Sequence, residues 1–355
     1  MHNHYAAFRI FIHEWSGARP PGNRGREKSE LHTNAIAAHT KRVRLLTLSV
    51  HSMHTTSRCS AVAVCAILLL GAGCKNAASD GAAKGTASTA ATASLTPSGA
   101  AREVEVLGLD YAFGMPDSVD AGRTAFKFTN KGKVDHEYNI VLLKQGATLS
   151  QFIEAANKKE PTTPFIDGPV GVLFARPGKT SRSVLSADML PGRTYAIHCI
   201  NVDSANAPTH RELGMYKSIT VRDNIAAALP AVAIDTIIGT DYAYTKYPRT
   251  IAPGWHHFVF VNAGKQRHEI NLILLKPGVT VQKVVEIAGK GGDTDALVDE
   301  GLGVLHARTG TSPLGTLDFE VLPGREYLIV CTFQDTPKSP PHFALGMVTS
   351  MVSSK

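Results

Sequence analysis

Cysteine and tryptophan are scarce: the 355 residues hold five Cys and two Trp. Three of the cysteines, Cys59, Cys65 and Cys74, crowd into the first 74 positions. That leaves Cys199 and Cys331, each alone in its own half of the chain, so no disulfide framework holds this protein together. No Cys-x-x-Cys-His, phosphate-loop, His-Glu-x-x-His or nucleophile-elbow pattern occurs. Haem attachment, nucleotide hydrolysis, zinc proteolysis and serine hydrolysis therefore have no signature here. No apolar run is long enough to span a bilayer as a mature helix. Net charge is also missing where a polyanion would need it. The formal charge is +7, but residues 1–74 carry nine Lys/Arg against three acids, which leaves 28 basic and 27 acidic residues downstream. A nearly neutral body excludes nucleic acid as a partner.

The N-terminal part reads as a processing signal. From Met53, Arg58 supplies a short positive region, Ala61–Leu70 an apolar core, and Gly71-Ala72-Gly73 the small residues before Cys74. This is the layout of a secretory signal over 53–73. Leu70-Gly71-Ala72-Gly73-Cys74 resembles a bacterial lipobox, with Leu one place early and Gly71 where that motif prefers Leu. The resemblance implies lipidation of Cys74, a membrane anchor, and a periplasmic or cell-surface location. Residues 1–52 read as an over-extended, disordered start. Residues 74–102, rich in Ala, Ser, Thr and Gly, read as a lipidated Cys followed by a flexible tether, because they hold too little apolar surface to bury.

Beyond the tether the chain is an internal repeat. His136-Glu137-Tyr138-Asn139-Ile140-Val141-Leu142-Leu143-Lys144 matches His268-Glu269-Ile270-Asn271-Leu272-Ile273-Leu274-Leu275-Lys276 at an offset of 132. The same offset pairs Gly171-Val172-Leu173 with Gly303-Val304-Leu305, Leu190-Pro191-Gly192-Arg193 with Leu322-Pro323-Gly324-Arg325, and Leu213-Gly214-Met215 with Leu345-Gly346-Met347. Upstream, Asp110-Tyr111-Ala112 pairs with Asp241-Tyr242-Ala243. Two copies of one domain are expected, over 103–223 and 232–353, each long enough to fold alone.

Period-2 alternation at Thr124–Thr129, His257–Val261, Tyr195–Cys199 and Tyr327–Cys331, with turn signals between, predicts strands. Leu149–Asn157 and Val281–Ala288 carry helical spacing. These patterns predict an all-β fold: a Greek-key β-sandwich per copy, each with one short helix. An immunoglobulin-like sandwich is the competing architecture, but its paired cysteines and core Trp are missing.

Four residue types recur at matched places: His136, Cys199, His210 and Met215, then His268, Cys331, His342 and Met347. This set resembles that of the plastocyanin/azurin (cupredoxin) family, in which an early His is followed by a C-terminal Cys…His…Met loop. The resemblance implies two tandem cupredoxin-like domains with one copper each. A thiolate and two imidazoles form a trigonal site with a weak axial thioether, a soft set suited to copper. The spacing from His210 to Met215, and from His342 to Met347, is one that plastocyanins use. The spacing from Cys to the second His departs from theirs. Ten residues intervene in each copy, INVDSANAPT and TFQDTPKSPP, where plastocyanins have two, which leaves open how closely His210 and His342 approach the thiols.

His198 precedes Cys199, the place from which multicopper enzymes reach a second copper. Copy two has Val330 there, and no His-x-His pair lies near His136 or His268. His256, His257 and His306 fall outside the repeated pattern. The expected function is therefore not enzymatic: a membrane-tethered copper protein passing single electrons to a redox partner protein. Two alternatives stay open, a copper-handling protein without electron transfer and a metal-free sandwich pair serving as a binding or assembly module.

Overall fold

The computed structural model describes residues 102–225, 234–290 and 292–355. The start 1–52, the signal 53–73, Cys74 and its tether as far as residue 101 lie outside the described residues.

The chain is all-β in character, with two short helices. The first copy contributes β1 (Arg102–Leu109), β2 (Ala112–Gly114), β3 (Ser118–Asn130), β4 (His136–Leu143), α1 (Leu149–Asn157), β5 (Ile166–Ala175), β6 (Thr180–Met189), β7 (Thr194–His198) and β8 (Tyr216–Ile225). The second contributes β9 (Ile234–Thr240), β10 (Ala243–Lys246), β11 (Thr250–Ile251), β12 (Gly254–Asn262), β13 (His268–Leu275), α2 (Val281–Gly289), β14 (Val298–Ala307), β15 (Gly315–Val321), β16 (Glu326–Val330) and β17 (Val348–Ser353). Two single turns of tighter helix, Asp295–Leu297 and His342–Leu345, complete it.

The local reasons are readable in the residues. In β3 the alternate side chains Thr124, Phe126 and Phe128 turn inward and are buried, as period-2 patterning requires. In β4 and β13 all eight residues are buried, which is why the matched His-Glu motif continues as an unbroken apolar run. Tyr138, Ile140 and Leu142 face the main core, while Val141 and Leu143 pack under Phe152 and Ile153 of α1. Ile273 and Leu275 do the same with Val281 and Val284 of α2. Both helices start at a threonine cap. Thr148 Oγ1 accepts from the Gln151 backbone N–H at 3.2 Å and Gln151 Oε1 accepts from the Thr148 N–H at 2.9 Å, a reciprocal capping box.

The strands hydrogen-bond in two runs. One is β2–β1–β3–β6–β15–β12–β9–β10. The other starts from the first residues of β3 and continues β8–β7–β4–β5–β14–β13–β16–β17–β11. Residues of both runs and of both copies form one apolar core.

The copies meet through equivalent strands. β6 pairs antiparallel with β15 about Leu185↔Leu317, and β5 meets β14 at Val172↔Val304. In each case the partners are the same position of the repeat. The junction is thus isologous, like that of a two-fold dimer built into one chain. Repeat length alone predicted that each half folds by itself, and the seam adds contacts that neither half has alone. Leu185 and Leu317 are fully buried there. Leu317→Ala should therefore cost about 2–5 kcal/mol and lower the melting of the whole body in one calorimetric transition. A shift confined to one of two resolved transitions would show that the halves unfold separately.

Candidate metal centre

Each copy assembles its cluster from three pieces of chain. The first His opens β4 or β13. The Cys stands one residue beyond β7 or β16, on the neighbouring strand. The second His must then come back across a ten-residue excursion, and backbone bonds bring it there. His210 N–H donates to Asn201 O at 2.8 Å and Arg211 N–H to Cys199 O at 2.7 Å. Val202 and Thr209 form an isolated antiparallel bridge, so the extra residues loop outward without displacing His210. In the second copy His342 N–H donates to Phe333 O at 2.8 Å and Phe343 N–H to Cys331 O at 2.9 Å. The long spacing therefore does not separate imidazole from thiol.

The donor atoms converge. His136 Nδ1 and His210 Nδ1 are 3.0 Å apart, and Cys199 Sγ is 3.4 Å from His210 Nδ1. In the second copy His268 Nδ1 and His342 Nδ1 are 3.1 Å apart, with Cys331 Sγ 3.4 Å from His342 Nδ1 and 3.9 Å from His268 Nδ1. All six residues are buried, and within each cluster the donor atoms lie within 4.8 Å of one another. Among the described residues no third such group occurs. Met215 and Met347 are fully buried in the main core. Each is tied to its cluster through the backbone: Cys199 N–H donates to Met215 O at 3.1 Å and Met215 N–H to His210 O at 2.8 Å, with the same two bonds at Cys331, Met347 and His342.

The surroundings fix which ring nitrogens face inward. Asp203 Oδ1 accepts from His210 Nε2 at 3.0 Å, and Asp335 Oδ1 from His342 Nε2 at 3.0 Å. Asp241 Oδ1 lies 3.4 Å from His268 Nε2. An ionised carboxylate only accepts, so these Nε2 atoms carry the protons and the Nδ1 lone pairs point at each other and at the thiol. Lone pairs facing at 3.1 Å are stabilised by a cation between them. The size is right as well: for the second cluster, the point equidistant from the three donors lies about 2.0 Å from each, near the ~2.0–2.3 Å at which imidazole and thiolate bind a first-row ion.

Burial, together with the facing His210, lowers the pKa of His136 to about 4, and burial lowers that of His268. Both rings are neutral at pH 7, as ligands must be. Burial pushes the Cys199 and Cys331 thiols well up, and the buried carboxyls of Glu137 and Glu269 add to it. Burial also pushes Asp203 and Asp335 up, but the bonds from tyrosine and histidine outweigh it and hold both carboxyls below the ordinary range.

Several contributors were not singled out from the sequence. Glu137 Oε1 accepts from the Ile200 N–H at 3.1 Å, and Glu269 Oε1 from the Thr332 N–H at 2.8 Å, each tying the strand of the first His to the residue after the Cys. Asp203 and Asp335 stand at the same place within loops that otherwise share little, and that was their signal. The other four described histidines lie outside the clusters. His198 packs on Phe152 at 5.2 Å between ring centres, His256 pairs with Asp235, His257 lies against Asp318, and His306 is held neutral by burial, its pKa lowered to about 3.

No family model and no curated protein matches the chain. Among solved structures it is similar to dithionite-reduced auracyanin from Roseiflexus castenholzii, at 24% identity over 36% of this chain and 100% of that one, with a TM-score of 0.25. It is also similar to auracyanin A, a "blue" copper protein from Chloroflexus aurantiacus, at 19% identity over 35% and 100%, TM-score 0.24. A third neighbour is the copper nitrite reductase from Nitrosomonas europaea, at 15% identity over 72% and 94%, TM-score 0.21. The structural neighbours include auracyanins and a copper nitrite reductase. The donor set, rather than these likenesses, carries the chemistry.

Proposed function

We propose that each copy is a Greek-key β-sandwich holding one copper ion, over 103–223 and 232–353, and that the chain is a single-electron carrier and not an enzyme. His136, Cys199 and His210 would hold the ion in one copy and His268, Cys331 and His342 in the other, with Met215 and Met347 offering a thioether to each. The observation that carries this reading is the pair of buried triangles of two imidazole nitrogens and one thiol.

A thiol with two imidazoles excludes magnesium and calcium, which take oxygen donors, and a thioether added to that set would favour copper over zinc. When bound, copper supplies a one-electron couple. The residues supply the rest. The two strands and the closed loop hold the donors in one geometry for both oxidation states, and full burial of all three keeps water from the open positions. Among the described residues, neither cluster has an adjoining set of histidines for a second metal.

Copper should bind at two equivalents with an intense visible band from thiolate bonding. Cys199→Ala and Cys331→Ala should each remove one site's band, and the double variant should be colourless. The thiol pKa is raised, so each site holds a thiol proton at pH 7 that copper must displace. Affinity should therefore rise with pH, about tenfold per unit, through neutrality. The lowered His136 pKa means that protonation of this one ring competes with copper only near pH 4. A colourless protein whose melting ignores copper would sink the metal reading. Tight binding without a reversible one-electron wave would leave copper handling instead.

Export and anchoring rest on the signal-like run before Cys74 and the tether after it. We place the protein at the periplasmic or cell-surface face of a membrane, held by lipid on Cys74. Several acyl chains on one residue hold firmly where one would not. Expressed from Met53, Cys74→Ala should move the protein from the membrane pellet to the soluble fraction, and a variant that stays in the pellet would contradict the anchor.

A further inference from the structure

The repeated Asp-Tyr-Ala tripeptide has no role in the ligand set, yet it is one of the best-matched segments of the two copies. It forms the turn between β1 and β2, and between β9 and β10, far in sequence from the Cys–His loop. Tyr111 and Tyr242 sit there with φ of 63° and 61°, a left-handed backbone that an aromatic residue rarely adopts. The same uncommon conformation in both copies marks a position that its surroundings dictate.

The dictating contacts reach the second imidazole of each copy by hydrogen bonds, while toward the first Asp241 Oδ1 stands 3.4 Å from His268 Nε2 and Asp110 Oδ1 3.8 Å from His136 Nε2. The Tyr111 hydroxyl donates to Asp203 Oδ2 at 2.5 Å, and Asp203 Oδ1 accepts from His210 Nε2. The Tyr242 hydroxyl donates to Asp335 Oδ2 at 2.5 Å, and Asp335 Oδ1 accepts from His342 Nε2. Each tyrosine ring also stands edge-on to the same imidazole, with centres 5.1 and 5.0 Å apart. The neighbouring aspartate serves the first His. Asp110 Oδ1 accepts from the Lys133 N–H at 2.7 Å and Asp241 Oδ1 from the Lys265 N–H at 2.6 Å, bracing the loop that leads into His136 or His268. A glycine makes room for that approach. A Cβ on Gly132 would lie 2.4 Å from Asp110 Oδ1 and 2.8 Å from His136 Nε2, and one on Gly264 would lie 2.6 Å from Asp241 Oδ1 and 2.9 Å from His268 Nε2.

We infer that the Asp-Tyr turn is a bracket that orients both imidazoles of each cluster: Asp110 and Tyr111, acting with Asp203 and Gly132, hold His136 and His210, and Asp241 and Tyr242, with Asp335 and Gly264, hold His268 and His342. These are positioning residues. The bracket rests on the reading of the histidines as metal ligands, but its first consequence is readable without metal. By bonding one carboxylate oxygen, the tyrosine turns the other onto Nε2, which fixes the tautomer and leaves Nδ1 free to ligate.

Two copies in one chain provide an internal control, since a folding defect reaches both clusters and a lost bracket only one. Long-range proton–nitrogen correlation spectra of the purified metal-free protein should show His210 and His342 as Nε2–H tautomers. Asp203→Ala should remove that state at His210 and leave His342 unchanged, and Tyr111→Phe should weaken it at His210 alone. An Nδ1–H form in the native protein, or a His210 signal indifferent to Asp203→Ala, overturns the bracket. In the copper-loaded protein, Tyr111→Phe and Gly132→Ala should change the Cu(II) hyperfine pattern of the first site only. Its copper affinity should fall about 10–100-fold, with the second site untouched. Equal changes at both sites also overturn the bracket, by making the effect a general loss of structure. A native protein that takes up no copper would sink the proposed function, while the tautomer spectra would still decide the bracket.

Discussion

Two backbone hydrogen bonds close each long loop onto its cysteine, and the rest of the centre depends on them. His210 N–H to Asn201 O and Arg211 N–H to Cys199 O return the chain to the strand it left, whatever lies between. The cost of ordering a loop grows only slowly with its length, so ten residues are no obstacle once the ends are pinned. The excursion is useful as well, because it carries Asp203, the carboxylate that faces the imidazole its own loop delivers. Its counterpart Asp335 does the same from a loop of almost wholly different sequence.

The clusters sit in costly surroundings. Burial shifts the first His and the Cys of each cluster toward their neutral forms. The frame bears this cost because its core is continuous across the two copies. Equivalent strands meet at Leu185↔Leu317 and Val172↔Val304, with the cysteines and methionines of both clusters in the same apolar core. A rigid frame suits the proposed electron carrier, whose ligands would have to hold still while the oxidation state changes.

Much of this was legible in the sequence because it is written twice. The ligand residues stood out as the parts of two divergent loops that did not diverge. The helices at Leu149 and Val281 followed from apolar spacing and differ from expectation by one residue at most. The seam was not legible. β6 runs Thr-Ser-Arg-Ser-Val-Leu-Ser-Ala-Asp-Met, too polar to read as a strand, since one face carries Arg182, Ser186 and Asp188 while Leu185 supplies the bulk at the junction from the other. Loop length left the approach of His210 and His342 open for another reason: spacing along the chain says nothing of the cross-loop bonds that set distance. The Asp-Tyr turn was visible as a repeat, but its partners Asp203 and Asp335 lie more than ninety residues away, and only the fold brings them together.

Both triangles of donors stand assembled without a metal. Crystals of the metal-free protein, soaked in copper and measured at the copper absorption edge, test it most directly. Two anomalous peaks are expected, each within bonding distance of two Nδ1 atoms and one Sγ, with ligand side chains and loops where they stood before soaking. Copper bound elsewhere, or at only one cluster, or taken up only after the Cys–His loops rearrange, would contradict it.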